Sequence, residues 1–210
     1  ERLRGISGAA VQQAMATSMD RSERSTGLTF AVFWAYVAKA YAAKHNIGDA
    51  QLQALLAHIS VKNYFHGAAN KYAHFQNETT VEEVLASAVV AAPIKLMDCS
   101  PFSDGAAALV LASEEVAKHC PKSVWVAGSG QASGPFTVAD RPDLSASPAI
   151  AKAAKDAYAQ AGIGPGEVDV AEVHDCVNIH EVMCLESTGL FKEGEGIYAG
   201  SPMVFVRFSG

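Results

Sequence analysis

The chain has 210 residues, half of them hydrophobic, and a formal net charge of -6. That length and composition allow a substantial buried core and exclude a disordered tail. The scattered lysines and arginines and the acidic balance argue against nucleic-acid binding, and no apolar run approaches the ~20 residues of a membrane span.

The four cysteines are too few and too irregularly spaced for a disulfide framework. The first residues also lack the apolar segment of a secretion signal. We therefore expect a soluble protein in a reducing, intracellular compartment, either the cytoplasm or, in a eukaryote, a mitochondrial or peroxisomal matrix. The cysteines are Cys99, Cys120, Cys176 and Cys184.

Helices are predicted for most of the first ninety residues. A helix over residues 9–19 is followed by a polar loop at residues 20–27. Apolar residues at helical spacing predict an amphipathic helix that begins at Phe30. A second helix is predicted to begin after Asp49, whose side chain can cap it, and to include Ile59 on its apolar face.

The next segment, residues 63–77, is rich in aromatic, histidine and amide side chains without a clean period. This pattern predicts an irregular surface or binding segment. Thr80 and Glu83 then resemble a capping box and predict a short helix over residues 81–87.

After Pro93 the sequence changes to short apolar runs that predict strands. Ser147 and Pro148 predict the start of an alanine-rich helix that ends near Gly162. A strand, a helix and a strand at this spacing predict a βαβ unit in a mostly parallel sheet, so the fold class is α/β. The predicted strands are residues 94–97, 106–112, 124–127 and 168–173.

The last of these strands leads into His174, Asp175 and Cys176, which we call the His-Asp-Cys segment. A helix over residues 179–188, closed by Gly189, is predicted to follow. Ligands and catalytic groups tend to lie where a strand end meets a helix N-terminus in an open α/β sheet. We therefore expect the chemistry here.

Three stretches resemble the thiolase superfamily, most closely the sterol-carrier-protein type. Residues 96–108 are similar to the end of the first core domain of a thiolase. Residues 61–85 resemble the loop domain that covers the coenzyme A site. Residues 172–176 resemble the His-Asp-Cys loop of the sterol-carrier-protein type, and the similarity extends over roughly residues 28–210.

The resemblance implies a thiolase-like fold, a layered α-β-α core with a mostly helical loop domain, here incomplete. It also implies a division of the chain into four parts. These are an uncertain N-terminal segment (1–27), the loop domain (28–92), the end of the first core domain (93–120) and part of the second core domain (121–210).

The resemblance implies an acyltransferase of the acetyl-CoA C-acyltransferase type, with coenzyme A or acyl-CoA as substrate and no metal. His174 is expected to donate a hydrogen bond to the thioester oxygen. Cys176 is expected to carry a proton, as a thiolate favoured by the helix N-terminus. Asp175 and Asn178 are expected to support them, Asp175 by capping the helix or holding the loop.

The coenzyme A contacts are predicted in the polar segment 63–77. Its amide and imidazole side chains could hold the adenine and phosphate parts of the ligand. The candidates are Asn63, His66, Asn70 and His74.

The sequence also departs from the thiolase pattern. The nucleophilic cysteine of the family precedes the loop domain, yet no cysteine precedes Cys99, and no Gly-His-Pro segment follows the His-Asp-Cys segment. Val177 replaces the usual phenylalanine. These departures leave open two alternatives to an active enzyme, a degenerate acyl-CoA-binding protein and a partner-dependent subunit. Full thiolases form homodimers, so the resemblance implies either a homodimer or a partner subunit.

A metal-stabilised interaction module is a third interpretation. It rests on two imidazoles and two thiols within eleven residues, which are the ligand types that zinc prefers. The absence of paired Cys-x-x-Cys spacing argues against a structural zinc site. The four ligands would be His174, Cys176, His180 and Cys184.

Overall fold

The computed structural model describes residues 20–101, 105–135 and 137–200, and the predicted helix over residues 9–19 lies outside them. Helices dominate the described residues. In chain order the α-helices are α1 (Arg21–Arg24), α2 (Phe30–Lys44), α3 (Asp49–Ala68), α4 (Val81–Ala86), α5 (Glu114–Ala117), α6 (Pro148–Ala161) and α7 (Asn178–Ser187).

Helix α2 confirms the predicted amphipathic helix. It begins where the Thr29 hydroxyl accepts a hydrogen bond from the Val32 amide, at 3.3 Å. Its apolar face is buried through Trp34, Val37 and Tyr41. The capping box at the start of α4 is also confirmed.

Two predicted boundaries near these helices were wrong. The segment 20–27 was expected to be a loop, but Asp20 caps the short helix α1 through the Ser22 amide, at 2.8 Å. Helix α3 is preceded by Gly48 rather than capped by Asp49, which is its first residue. An acidic side chain in the first turn still stabilises the helix, because it faces the positive end of the helix dipole.

Helix α3 also continues to Ala68, so the segment 63–77 begins as helix rather than as an irregular segment. The helical spacing of apolar residues is absent from this last part of α3 because it carries polar side chains on the face that contacts α7. Lys62 and Asn63 both bind Glu181 there.

The sheet differs most from the prediction. Among the described residues it has two short antiparallel strands, β1 (Val89–Ala91) and β2 (Ile94–Lys95), joined through a cis Ala92–Pro93 peptide. The predicted strand 94–97 ends after two residues, where Leu96–Asp98 forms a 3-10 helix.

The predicted parallel sheet is not present in the described part of the chain. Residues 106–112, 124–127 and 168–173 form no ladder there. The apolar side chains of the first two runs are exposed, Val110 to 91% and Trp125 to 62%, whereas Val168 and Val173 in the third are half-buried. A strand is stable only when neighbouring strands take its backbone hydrogen bonds and another layer covers its apolar face. Periodicity shows the propensity of these segments but not whether such neighbours exist.

Helix α6 confirms the predicted Ser147 cap and ends at Gly162, whose φ is +69°. The backbone of residues 128–130 lies against this helix, where Ser129 and Gln160 exchange hydrogen bonds of 3.1 and 2.8 Å. A Cβ atom at Gly128 or Gly130 would overlap the α6 backbone, so these glycines serve helix packing.

Helix α7 lies at the centre of the molecule and confirms the predicted helix over residues 179–188 to within one residue. No helix in the described ranges is both long and apolar enough to cross a bilayer. The core is built mainly from α2, α3 and α7. Its fully buried members include Val37, Tyr41, Leu52, Leu56, Ile59, Ile94, Val177, Ile179, Val182 and Ile197.

Candidate active site

The His-Asp-Cys segment is held in place by backbone hydrogen bonds to a distant part of the chain. The Ser100 amide donates to the Cys176 carbonyl at 3.1 Å, and Cys99 pairs with Val177 in an isolated antiparallel bridge. Residues 97–101 therefore fix the backbone of the segment just before α7 begins.

A cleft of about 470 Å³ opens beside this segment. Its volume lies within the range of small-molecule sites, roughly 300–1,000 Å³. The walls come from α3, residues 72–75, residues 97–101, residues 173–175 and Asn178, whereas Cys176 is buried beside the cleft and is not part of its lining. The lining includes Ser60, Asn63, Tyr64, His74, Phe75, Asp98, His174, Asp175 and Asn178.

Two of the four predicted coenzyme A contacts lie in this cleft. Asn63 and His74 are part of its lining, together with His174. His66 and Asn70 are not part of it. The segment 63–77 therefore contributes to the cleft through Asn63 and His74, and the coenzyme A contacts stay a prediction.

Cys176 is buried, with 8% of its surface exposed, and its Sγ lies 3.4 Å from Nδ1 of His180. Burial and the nearby Asp175 raise the pKa of the thiol to about 12. The expectation of a thiolate was therefore wrong, because desolvation outweighs the helix N-terminus. The resting form of Cys176 is the neutral thiol.

His180 packs its ring against Trp34, with 4.5 Å between centroids, and lies 5.4 Å from the ring of His174. Burial lowers its pKa to about 4, with smaller contributions from His174 and Arg141. The imidazole is therefore neutral at pH 7. His180 was predicted only as a metal ligand, and its contact with the Cys176 thiol was not predicted.

Asp175 is held on the other side of the segment. Nδ2 of Asn63 donates to its Oδ2, while its Oδ1 is buried without a hydrogen-bond partner. Burial and then the charge of Glu181 raise the pKa of Asp175 to about 7. The capping prediction was wrong, because the N-cap of α7 is Val177 and no side chain bonds there. Asp175 instead ties the segment to α3.

A buried ion pair lies directly behind Asp175. Nζ of Lys62 bonds Oε1 of Glu181, and Nδ2 of Asn63 donates to Oε2 of Glu181 at 2.9 Å. Lys62 is 9% exposed and Glu181 is fully buried. Burial lowers the pKa of Lys62 and raises that of Glu181. This ion pair was not predicted, although a glutamate among the apolar residues of α7 is a sequence signal for a buried charge with a partner.

Asn178, predicted as a supporting residue, fixes the first turn of α7. Its Nδ2 lies 2.7 Å from the Leu56 carbonyl, 2.7 Å from Ser60 Oγ and 3.1 Å from Asp98 Oδ1. The amide therefore links α7 to α3 and to the 3-10 helix that precedes Cys99.

Three of the four predicted metal ligands also come together. The ligand atoms of His174, Cys176 and His180 all lie within 4.8 Å of one another. Cys184 is not part of this group, although it lies on the same helix.

The helices α2, α3 and α7 with the small sheet agree with part of a thiolase-like fold. The similarity to known structures agrees with this class. The Ltp2-ChsH2(DUF35) aldolase superposes with a TM-score of 0.75 and 24% identity, covering 98% of this chain and 53% of that chain.

The sequence comparisons identify the family. Residues 130–202 match the thiolase C-terminal domain-like family. The acetyl-CoA acetyltransferase of Methanothermobacter thermautotrophicus is 37% identical over 185 residues, which is 87% of this chain and 47% of the relative. The chain belongs to the thiolase superfamily.

Two further relatives carry other names within the same similarity. Sterol carrier protein 2 of Rattus norvegicus is 36% identical over 67% of this chain and 27% of its own length. The benzoylsuccinyl-CoA thiolase subunit BbsB of Thauera aromatica is 41% identical over 68% of this chain and 37% of its own length. The chain thus spans less than half the length of these curated relatives.

Proposed function

We propose that the chain carries part of the active site of a thiolase-like acyltransferase in lipid metabolism. The substrates would be 3-ketoacyl-CoA and acetyl-CoA thioesters, converted by thiolytic cleavage or by the reverse Claisen condensation. One observation carries the proposal. His174 and Asp175 of the His-Asp-Cys segment line a cleft together with side chains of α3 and of residues 72–75.

His174 would stabilise the developing enolate. It lines the cleft and is exposed, so a ring N–H can reach a thioester oxygen there. A hydrogen bond to an oxygen that gains negative charge in the transition state lowers the barrier of such reactions by several kcal/mol.

Cys176 would supply the proton. In cleavage, the bond between the α and β carbons breaks, its electron pair forms the enolate of acetyl-CoA, and the thiol proton moves to the α carbon. A thiol whose pKa is raised to about 12 carries its proton before the reaction begins, which suits the donation of a proton in the cleavage direction. In condensation the same sulfur must first become a thiolate, and His180 at 3.4 Å is the nearby group that could take its proton.

Asn63 and His74 are the proposed coenzyme A contacts in the cleft. The acyl group itself must pass to a nucleophilic cysteine, and none of residues 1–98 is a cysteine. We therefore propose that this thiol comes from a further segment or from a partner chain. The domain boundaries inferred from the resemblance remain a prediction.

The test is the coenzyme A-dependent loss of acetoacetyl-CoA, measured for the parent chain assayed together with the segment or partner that supplies the nucleophilic thiol. His174→Ala and Cys176→Ala are measured in the same assembly. Each variant should lose roughly 100-fold or more of the rate, because each removes a group that acts in the transition state. His119→Ala and Cys120→Ala are matched controls, since both side chains are exposed outside the cleft.

Control variants that keep the parent rate would support the assignment of both roles. Turnover that survives in His174→Ala or Cys176→Ala at matched folded concentration would overturn it. Circular dichroism of each variant distinguishes a lost catalytic group from a lost fold.

A second candidate is a partner-dependent or degenerate acyl-CoA-binding subunit. The observation that favours it is the relative named as a thiolase subunit. It predicts no turnover by the purified chain but measurable binding of acetoacetyl-CoA in calorimetry. Binding that is weakened by Asn63→Ala and His74→Ala would place the ligand in the same cleft.

A further inference from the structure

The group formed by His174, Cys176 and His180 has the composition of a metal site. It combines two imidazoles and one thiol, which suits zinc and related soft or borderline cations and is unsuited to magnesium or calcium. Three protein ligands with an open fourth position is also the usual arrangement of zinc sites that exchange a ligand.

The distances require little rearrangement. Tetrahedral zinc with bonds of ~2.0–2.3 Å holds its ligand atoms about 3.3–3.8 Å apart. Cys176 Sγ and His180 Nδ1 are already 3.4 Å apart, and all three ligand atoms lie within 4.8 Å of one another. A shift of about 1 Å of the exposed His174 side chain would bring all three ligand atoms to the spacing of a tetrahedral site.

The other two ligands are held by the fold. The Ser100 amide and the bridge from Cys99 to Val177 fix the backbone of Cys176. His180 lies in the first turn of α7 with its ring against Trp34. Ligands that are positioned before the metal arrives lose less conformational entropy on binding, which favours affinity.

We propose that His174, Cys176 and His180 bind one zinc ion in competition with catalysis. Zinc would take the lone pairs of both imidazoles and the thiolate of Cys176, whose proton is released to solvent. Bound His174 would then be fixed on the metal, and bound Cys176 would have no proton to donate. The competition rests on the proposed function, but the binding of zinc does not.

The binding is tested with cobalt(II) alone as the probe, because a cobalt–thiolate bond and tetrahedral coordination give characteristic absorption bands. The parent chain, first stripped of metal, should take up one equivalent and show both features. Cys176→Ser should lose the thiolate band, and His180→Asn should bind at least about 100-fold more weakly. Cys120→Ser and His119→Asn, the exposed controls, should bind like the parent.

Bands that persist in Cys176→Ser, or that disappear in Cys120→Ser, would overturn the assignment. X-ray absorption of the zinc-loaded parent gives a measurement that needs no variant. One sulfur ligand among nitrogen and oxygen ligands is expected. A shell without sulfur would refute the site.

The competition has its own measurement. One equivalent of zinc should abolish the loss of acetoacetyl-CoA by the parent, and a chelator should restore it. Full turnover by a chain that shows the bound-metal spectrum would overturn the competition. An assembly that includes the source of the nucleophilic thiol, and that shows the cobalt spectrum but no turnover without metal, would instead reject the acyltransferase proposal and keep the metal site.

Discussion

The two sides of the His-Asp-Cys segment differ in charge although they are adjacent in sequence. On the Asp175 side, Lys62 and Glu181 form a buried ion pair that Asn63 joins to Asp175. On the Cys176 side, a thiol and an imidazole meet at 3.4 Å, both in their neutral forms at pH 7.

The difference indicates a division of roles. A buried charge that loses its partner is costly, so the Asp175 side can only hold a fixed arrangement. On the Cys176 side, the neutral thiol and imidazole can transfer a proton or bind a metal ion without breaking a buried ion pair. We therefore expect substitutions on the Asp175 side to change stability, and those on the Cys176 side to change activity and metal binding.

The largest stability effect is expected for Lys62→Met. It leaves Glu181 buried without its cation, which should lower the free energy of unfolding by about 3–5 kcal/mol. Urea denaturation measures the change. The matched control is Lys152→Met, whose exposed ion pair with Asp156 on α6 should contribute less than about 1 kcal/mol. Equal effects of the two substitutions would contradict the comparison.

A smaller effect is expected for Asn178→Ala. It removes the donor that lies near Leu56, Ser60 and Asp98, and the buried acceptors lose a partner. The expected loss is about 1–3 kcal/mol, measured by the same denaturation. Asn77→Ala, at an exposed position, is the control and should change stability by less than about 0.5 kcal/mol. An Asn178→Ala protein as stable as this control would show that the linkage is dispensable.

The smallest effect concerns the pH dependence of stability. The pKa of Asp175 is raised to about 7, whereas an unfolded aspartate titrates near ~4. Between these values the folded state binds more protons, so this group makes the protein less stable as pH rises. Asp175→Asn removes the titration.

The stability of the parent relative to Asp175→Asn should therefore fall by roughly 1 kcal/mol from pH 5 to pH 6. Denaturation of both proteins at each pH measures this change. A difference that stays constant over the interval would show that Asp175 does not retain its proton in the folded state.

The helices of the site could be predicted from the sequence because their signals are local. The apolar spacing in α2, the Thr80 capping box and the Ser147 cap each involve residues within a few turns of one another. The end of α3 was missed because its polar side chains contact α7, which lies more than a hundred residues away. Local periodicity does not report such a contact.

The predicted parallel strands show the same limit in another form. The apolar runs at residues 106–112 and 124–127 have strand propensity, but they remain exposed and unpaired in the described part of the chain. Pairing depends on neighbouring strands, which a segment cannot specify by itself.

The sequence by itself determined the family and indicated the candidate site, because the His-Asp-Cys segment and the residues around it carry specific residue types at specific positions. The tertiary structure decided the state of those residues. Burial makes Cys176 a thiol rather than a thiolate, and packing places His180 beside it. A pKa depends on desolvation and on neighbours brought together by folding, so it is a property of the folded chain rather than of the motif.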